Sequence, residues 1–262
     1  MVFFGLFVFY FSTKLVETDL RRYYMISSIF AGIAAGTKYI GGIYLILPIA
    51  AHIIHFLQRK YFSAKKILDK NLLLIPLIFF VTFAFASPYS LSPVFSSHIK
   101  HLLQQARGSM YDQPGWIRYL TYFLPHGMGW PLFLSSVIGW GVLFISWRKN
   151  KDSKKMLLIF SGPIVYFLIA LPKWQMTWHT LLLIPFLSIY SAYLFYRLWN
   201  LENKIVRTIG KLLVVFIIFY TLVYSLAYLN LFLEKNVREE ASEWIEKNIP
   251  EGSRVAIARN WF

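Results

Sequence analysis

The sequence contains no cysteine and few acidic residues. Disulfide bonds and thiolate chemistry are therefore excluded. Asp and Glu together number 12, against 27 Lys and Arg, and charged residues make up only 15% of the chain. Soluble domains carry about 25% charged residues. A glycine-rich phosphate loop, a GxSxG turn and an HExxH motif are also missing, and with them the enzyme classes that those motifs mark.

Apolar residues are in excess instead. They form 57% of the chain, 19% of it is aromatic, and several apolar runs approach the roughly 20 residues that cross a bilayer. We predict an all-α polytopic membrane protein whose partner is the lipid bilayer, and no nucleic-acid partner. Its transmembrane domain would cover residues 1–233 with about eight helices. The predicted spans are residues 1–13, the two legs of 25–57, 72–86, 131–147, 156–171, 180–196 and 212–233.

One lysine interrupts the longest apolar run. Residues Ala31–Pro48 read AGIAAGTKYIGGIYLILP, with Lys38 in the middle, followed by a tyrosine and by two adjacent glycines. A lysine inside a segment of hydrocarbon length is costly. The chain is therefore predicted to turn at residues 38–42, so that residues 25–57 form a two-legged hairpin.

The distribution of basic residues predicts the orientation. Segments 14–24, 59–70, 148–155 and 197–211 hold three, five, five and four Lys or Arg residues, seventeen in all. The other connecting segments of the membrane region hold five. Cytoplasmic loops carry the excess of Lys and Arg, so these four segments are assigned to the cytoplasm. The assignment works only if 25–57 is a hairpin, and it places Lys38 at the outer tip.

Two outer segments are predicted to be structured. In the outer loop 87–130, residues 93–107 have apolar residues at helical spacing and read as a short amphipathic helix at the membrane interface. The tail 234–262 reads as helix, turn and strand. We predict that it begins a small extracytoplasmic α/β domain.

Cations are the first candidates for ligand binding on the outer side. Lys38, Arg107 and Lys173 would lie near the outer interface. There they could hold a lipid phosphate or pyrophosphate, because Lys and Arg form charge-assisted hydrogen bonds in a low-dielectric site. The alternative for each is that its side chain reaches into the lipid headgroups.

The other polar residues of the outer side are weaker candidates. His126 and His179 each precede a span, where a histidine is more often an interface residue. His98 and His101 lie one helical turn apart, but no carboxylate or third ligand accompanies them. We therefore predict no metal site and no cofactor, and read the pair as polar residues on a wet helix face. Asp112 is the one acid outside the membrane before the tail, and hence the one candidate base.

Four stretches, in this order, resemble those of a known enzyme family. They read AGIAAGTKYIGGIYLILP, FASPYSLSPVFSSHIKHLLQQARG, PGWIRYLTYFLPHGMGWPLFLSSVIGW and WIEKNIPEGSRVAIA. They are similar to the hairpin, the surface helix of the outer loop, the entry into the next span and the opening of the outer C-terminal domain in glycosyltransferase family 39, PMT-2 type. This family of GT-C membrane enzymes includes protein O-mannosyltransferases and aminoarabinose transferases. Ser87 stands where the family usually has Asn.

The resemblance implies a function. Such enzymes move a sugar from a polyprenyl-phosphate carrier to a protein, lipid or glycan on the extracytoplasmic face, here of the plasma membrane. It places Lys38, His101 and Arg107 among the residues that face phosphate and sugar, and Tyr39, next to Lys38, is a further candidate binding residue. It also implies a base aspartate in a first outer loop that this sequence does not show. We therefore expect the chain to be part of a longer protein and inactive by itself.

One departure and two alternatives remain. The family usually has an Arg-Tyr pair where this chain has Trp178-His179, so the contact made there is an open question. A transporter or lipid flippase would suit a lysine at a broken apolar segment, although the sequence shows no inverted repeat. An assembly subunit without a site of its own is the third reading.

Overall fold

The computed structural model describes residues 1–57, 69–107, 113–172, 175–233 and 235–254, and their regular structure is helical. The chain divides into two compact units, Met1–Ile217 and Ile218–Phe262. The helices are α1 (Val2–Thr18), α2 (Arg21–Thr37), α3 (Ile46–Leu57), α4 (Lys70–Ala86), α5 (Pro93–Arg107), α6 (Gly115–Arg118), α7 (Leu124–Met128), α8 (Trp130–Asn150), α9 (Ser153–Ala170), α10 (Ile184–Trp199), α11 (Lys204–Leu231) and α12 (Val237–Asn248). Short 3-10 turns cover Tyr39–Leu45, Pro88–Leu91 and Thr177–Leu182, and a π-helical turn covers Tyr119–Phe123.

Four helical segments of the described chain are long and apolar enough to cross a membrane. They are Tyr39–Leu57, Trp130–Asn150, Ser153–Ala170 and Lys204–Leu231. The other four predicted spans are also helical, but α1, α2 and α4 have 17 residues and α10 has 16. A 17-residue helix is about 25 Å long, a little less than the roughly 30 Å of hydrocarbon. By length and composition, the chain has the helices of an integral membrane protein.

The chain breaks at Lys38, as predicted. Helix α2 ends at Thr37, and Lys38 has an extended backbone with φ -162° and ψ 125°. The N–H of Gly41 donates to the carbonyl of Lys38 at 2.7 Å, which closes the first turn of the 3-10 segment that leads into α3. The lysine therefore stands at a change of direction rather than in the middle of a helix.

The two legs of the hairpin run antiparallel. Near the tip, Gly41 lies so close to α2 that a Cβ atom on it would be 2.4 Å from the carbonyl oxygen of Ala34. At the foot, the hydroxyl of Tyr24 on α2 lies 2.6 Å from Nδ1 of His52 on α3, and both side chains are fully buried. These contacts confirm the predicted hairpin.

The charge-rich loops of Met1–Ile217 meet at one end of the helices, here called the charged end. Three features define it: the ion pair Glu17–Lys154, the contact of Nε2 of His55 with the Asp19 carboxylate (3.4 Å), and a cleft lined by both Lys149 and Arg197. The described parts of the four segments predicted to be cytoplasmic therefore share one end. The opposite end, here called the Lys38 end, carries the 3-10 turns, α5, α6 and α7.

Helix α5 has the same bounds, Pro93–Arg107, as the predicted helix 93–107. Phe95 and Ile99 are half-buried, and the Phe95 ring packs against Phe83 and Tyr89 at centroid distances of 6.0 and 5.9 Å. The polar face is exposed at Ser97, His101 and Gln104. This amphipathic character is what the spacing predicts.

Helix α12 of the second unit is also predicted by its sequence. The side chain of Asn236 accepts a hydrogen bond from the N–H of Arg238 at 3.0 Å, and two glutamates occupy the first turn. Both features stabilise a helix N-terminus. Gly252, with φ +86°, follows in the predicted turn. Most of the predicted strand, residues 255–258, lies outside the described residues.

Candidate functional site

Three connecting segments converge at the Lys38 end. They are the hairpin tip at residues 38–45, the α6 and π-turn segment at 115–123, and the turn at 175–182 between α9 and α10. Side-chain contacts join the first to the third and the second to the third, as described below. The site is therefore assembled from parts that lie up to about 140 positions apart in the sequence.

Lys38 is the cation of the hairpin tip. Its ammonium nitrogen lies 4.8 Å from the ring centroid of Trp178, within cation–π distance. The side chain is exposed at the C-terminus of α2, where the helix dipole favours a positive charge. Among the described residues it forms no ion pair with a carboxylate. Its charge is thus available to an anionic ligand.

Tyr39 connects the hairpin tip to α5. Its hydroxyl lies 2.6 Å from Nε2 of His98, and the two rings meet edge to face with centroids 5.6 Å apart. The contact holds the amphipathic helix beside Lys38. His101 lies one turn further along α5 with an exposed side chain. The exposed face of α5 therefore borders the site.

His179 is held by Tyr119, a fully buried residue of the π-turn. Nδ1 of His179 lies 3.2 Å from the Tyr119 hydroxyl oxygen. That hydroxyl also donates to the carbonyl of Met176 at 3.1 Å and accepts from the N–H of Met176 at 3.3 Å. Burial, together with the nearby positive charge of Lys38, lowers the pKa of His179 to about 4. The imidazole is therefore neutral at physiological pH.

Three packing contacts hold the 113–118 segment in place. The Gln175 amide, 1% exposed, donates from Nε2 to the carbonyl of Gln113 at 3.1 Å. The hydroxyl of Tyr166 on α9 donates to the carbonyl of Trp116. Gly115 packs on the end of α9, where a Cβ atom would lie 2.5 Å from the carbonyl oxygen of Ala170. The 113–118 segment therefore contacts both α9 and the turn that contains His179.

An apolar groove lies beside the site. Helices α8, α9 and α10 enclose a cavity of about 190 Å³ whose lining includes Leu120, Val137, Trp140, Pro163 and Leu187. It reaches the site at two points of the chain: its lining residues Leu120 and Leu183 directly follow Tyr119 and the His179 turn. The groove is therefore continuous, through these two residues, with the two segments that hold the neutral histidine.

The structure brings together three of the predicted residues, Lys38, Tyr39 and His179. His126 does not join them through any described contact. It lies on α7, where its Nδ1 is 2.7 Å from the carbonyl oxygen of Tyr122 and its ring packs on the Tyr122 ring. Lys173, Asp112 and the side chain of Arg107 lie outside the described residues.

Two residues of the site, Tyr119 and Trp178, are not among the site residues predicted from the sequence. Tyr119 is one of several aromatic residues in segment 116–130, and Trp178 differs from the residue that glycosyltransferase family 39 usually has at this position. The sequence held a signal for Trp178, since it directly precedes a candidate histidine in a polar turn. Nothing local distinguishes Tyr119 from its aromatic neighbours, because its role depends on a contact made 60 positions away.

The residues described offer no group of three or more His, Asp or Glu that could hold a metal ion. No family model matches the chain, and no curated protein or solved structure matches it either. The functional argument therefore depends on the geometry of the Lys38 end and on the four sequence stretches that resemble glycosyltransferase family 39.

Proposed function

We propose that the protein is a membrane glycosyltransferase that takes a sugar from a polyprenyl-phosphate carrier at the Lys38 end. The observation that carries the proposal is Lys38 itself. It is an exposed cation at a break between helices, without a carboxylate partner among the described residues, and it contacts Trp178 in the turn that leads to Leu183 of the apolar groove. A lipid-linked phosphate has the matching parts, an anion joined to an apolar chain.

Lys38 has a defined task in such a reaction. The acceptor hydroxyl attacks the anomeric carbon while the bond from that carbon to the phosphate oxygen breaks. The electron pair stays on the departing phosphate, whose negative charge grows in the transition state. A fixed ammonium group in a site of low dielectric constant stabilises that charge. The hydroxyl proton passes to a carboxylate, either Asp112 or one on another outer segment.

The groove has the chemistry that suits an isoprenoid chain. Its lining is aliphatic and aromatic, and it opens between helices that we propose to be embedded in lipid. A carrier that enters sideways from the bilayer could keep its apolar chain in this groove while its phosphate reaches Lys38. Burial of the chain contributes about 25 cal/mol for each Å² of apolar surface.

The distribution of basic loops supports a reaction on the extracytoplasmic face. The basic loops gather at the charged end, which the positive-inside rule assigns to the cytoplasm. The Lys38 end is then extracytoplasmic. We propose that eight helices span the plasma membrane in a GT-C arrangement, with the four shorter ones tilted little, and that α12 begins an outer α/β domain.

Transfer by the purified full-length protein tests this function. Polyprenyl phosphates that carry glucose, mannose or aminoarabinose are supplied in nanodiscs with membrane extract as acceptor. The expected result is release of the free polyprenyl phosphate together with sugar bound to an acceptor, for one member of the panel. A protein that moves the intact lipid across vesicles without cleaving it would be a flippase, and that result contradicts the proposal.

A further inference from the structure

The bonding around Tyr119 determines which nitrogen of His179 carries the proton. The hydroxyl oxygen of Tyr119 is 3.1 Å from the carbonyl oxygen of Met176, 3.3 Å from the N–H of Met176 and 3.2 Å from Nδ1 of His179. All three contacts are hydrogen bonds only if Tyr119 donates to the carbonyl. Nδ1 of His179 must then donate to the Tyr119 oxygen. Nε2 is left with a lone pair.

That lone pair has no partner in the described part of the chain. His179 has one side-chain hydrogen bond there, the one from Nδ1, and Trp178 meets its ring edge to face at 6.2 Å. The ring stays neutral because burial and the Lys38 charge both oppose protonation and lower its pKa. A half-buried acceptor therefore stands near a free ammonium group.

The complementary ligand needs an anion for Lys38 and an O–H or N–H donor for His179. A phosphodiester carries one negative charge and no proton of its own at neutral pH, so the donor has to come from the alcohol that the phosphate esterifies. In a sugar linked to polyprenyl phosphate, the ring hydroxyls next to the anomeric carbon have that position.

On the basis of the proposed function, we propose that Nε2 of His179 accepts a hydrogen bond from a ring hydroxyl of the carrier-linked sugar while Lys38 binds the phosphate. His179 is then a specificity-determining residue that distinguishes the loaded carrier from the empty one. The same chemistry, a phosphodiester with a nearby hydroxyl, also occurs in the headgroup of phosphatidylglycerol. The experiment has to separate the two sources.

Binding of the empty and the sugar-linked carrier to the wild type and to His179 variants tests the assignment. Dissociation constants are measured at pH 8 for polyprenyl phosphate and for polyprenyl phosphomannose and phosphoglucose, with the full-length protein in phosphatidylcholine nanodiscs. His179→Asn keeps an amide that can donate to Tyr119 but has no atom at the position of Nε2. We expect it to bind at least one sugar-linked carrier about 2- to 10-fold more weakly, the effect of one hydrogen bond. Its affinity for polyprenyl phosphate should match that of the wild type.

Three controls make the outcome decisive. His179→Gln, whose longer amide reaches toward the Nε2 position, should recover part of the sugar-dependent affinity, and Lys100→Ala, at an exposed position of α5, should leave both affinities within about 2-fold of the wild type. Equal weakening of both ligands by His179→Asn, or no weakening of either, overturns the assignment while leaving the proposed function intact. Loss of sugar discrimination only when phosphatidylglycerol is added would assign the acceptor to a lipid headgroup and overturn the sugar role. If the wild type does not bind polyprenyl phosphate, the proposed function fails.

Discussion

Replacing Lys38 with alanine is expected to weaken binding of polyprenyl phosphate by about 10- to 100-fold. A hydrogen bond to a charged group contributes about 1.5–3 kcal/mol, and this ammonium group lies 4.8 Å from the Trp178 ring in the His179 turn. The transfer rate should fall at least as far, because the charge on the phosphate increases in the transition state. Binding is measured with labelled polyprenyl phosphate in nanodiscs, and transfer by release of the carrier.

Two variants make this result specific. Lys100→Ala removes another exposed cation from the Lys38 end, on α5, and should leave binding within about 2-fold of the wild type. Lys38→Arg keeps the charge and should retain most of the affinity for the phosphate. Because the Lys38 side chain is exposed, Lys38→Ala should also unfold at nearly the wild-type temperature. Unchanged affinity in a folded Lys38→Ala protein would show that the carrier phosphate binds elsewhere.

Replacing Gly41 with alanine is expected to destabilise the hairpin by about 1–3 kcal/mol, the usual range for overpacking. Its new Cβ atom would lie 2.4 Å from the carbonyl oxygen and 2.7 Å from the carbonyl carbon of Ala34. These are backbone atoms of α2, so they cannot rotate away as a side chain would. The tip must move, and Lys38 and Tyr39 move with it. The protein should unfold at a lower temperature in detergent and should bind the carrier more weakly.

The neighbouring glycine provides a matched control. A Cβ atom on Gly42 would meet its nearest neighbours, Phe79 and Ala35, at 3.4 and 3.7 Å, which are ordinary packing distances. Gly42→Ala should therefore change the free energy of unfolding by less than about 0.5 kcal/mol. If Gly41→Ala and Gly42→Ala unfold at the same temperature, the two legs of the hairpin are not packed together as described.

The sequence predicts those parts of the structure that depend on residues close together in the chain. A charge in an apolar run has few outcomes, so the turn at Lys38 could be inferred. The spacing of apolar residues predicted α5, and the acidic first turn before Pro250 predicted α12. Span lengths were less certain, because short apolar helices such as α4 (17 residues) can pack within a bundle as well as cross a bilayer.

The site itself could be predicted only in part. Lys38 and His179 are residue types that are unusual among their sequence neighbours, so each could be identified as a candidate site residue from the sequence alone. The residues that hold them in place could not be identified from the sequence. Tyr119 contacts His179, and Trp178 contacts Lys38, across segments that are far apart in the chain. The groove is formed by residues of three helices that have no shared pattern in the sequence, so its presence depends on how the helices pack.

The central claim is that the carrier lies in the groove with its phosphate at the Lys38 end, and photo-crosslinking measures this directly. A polyprenyl phosphate with a photoactivatable group on its second isoprene unit is bound to the full-length protein in nanodiscs, irradiated, and located by peptide mass spectrometry. The structure predicts labelling of peptides that contain Leu120, Val137 or Leu187, and loss of labelling when unlabelled carrier is in excess. Labelling confined to α11 or to the charged end would contradict the claim.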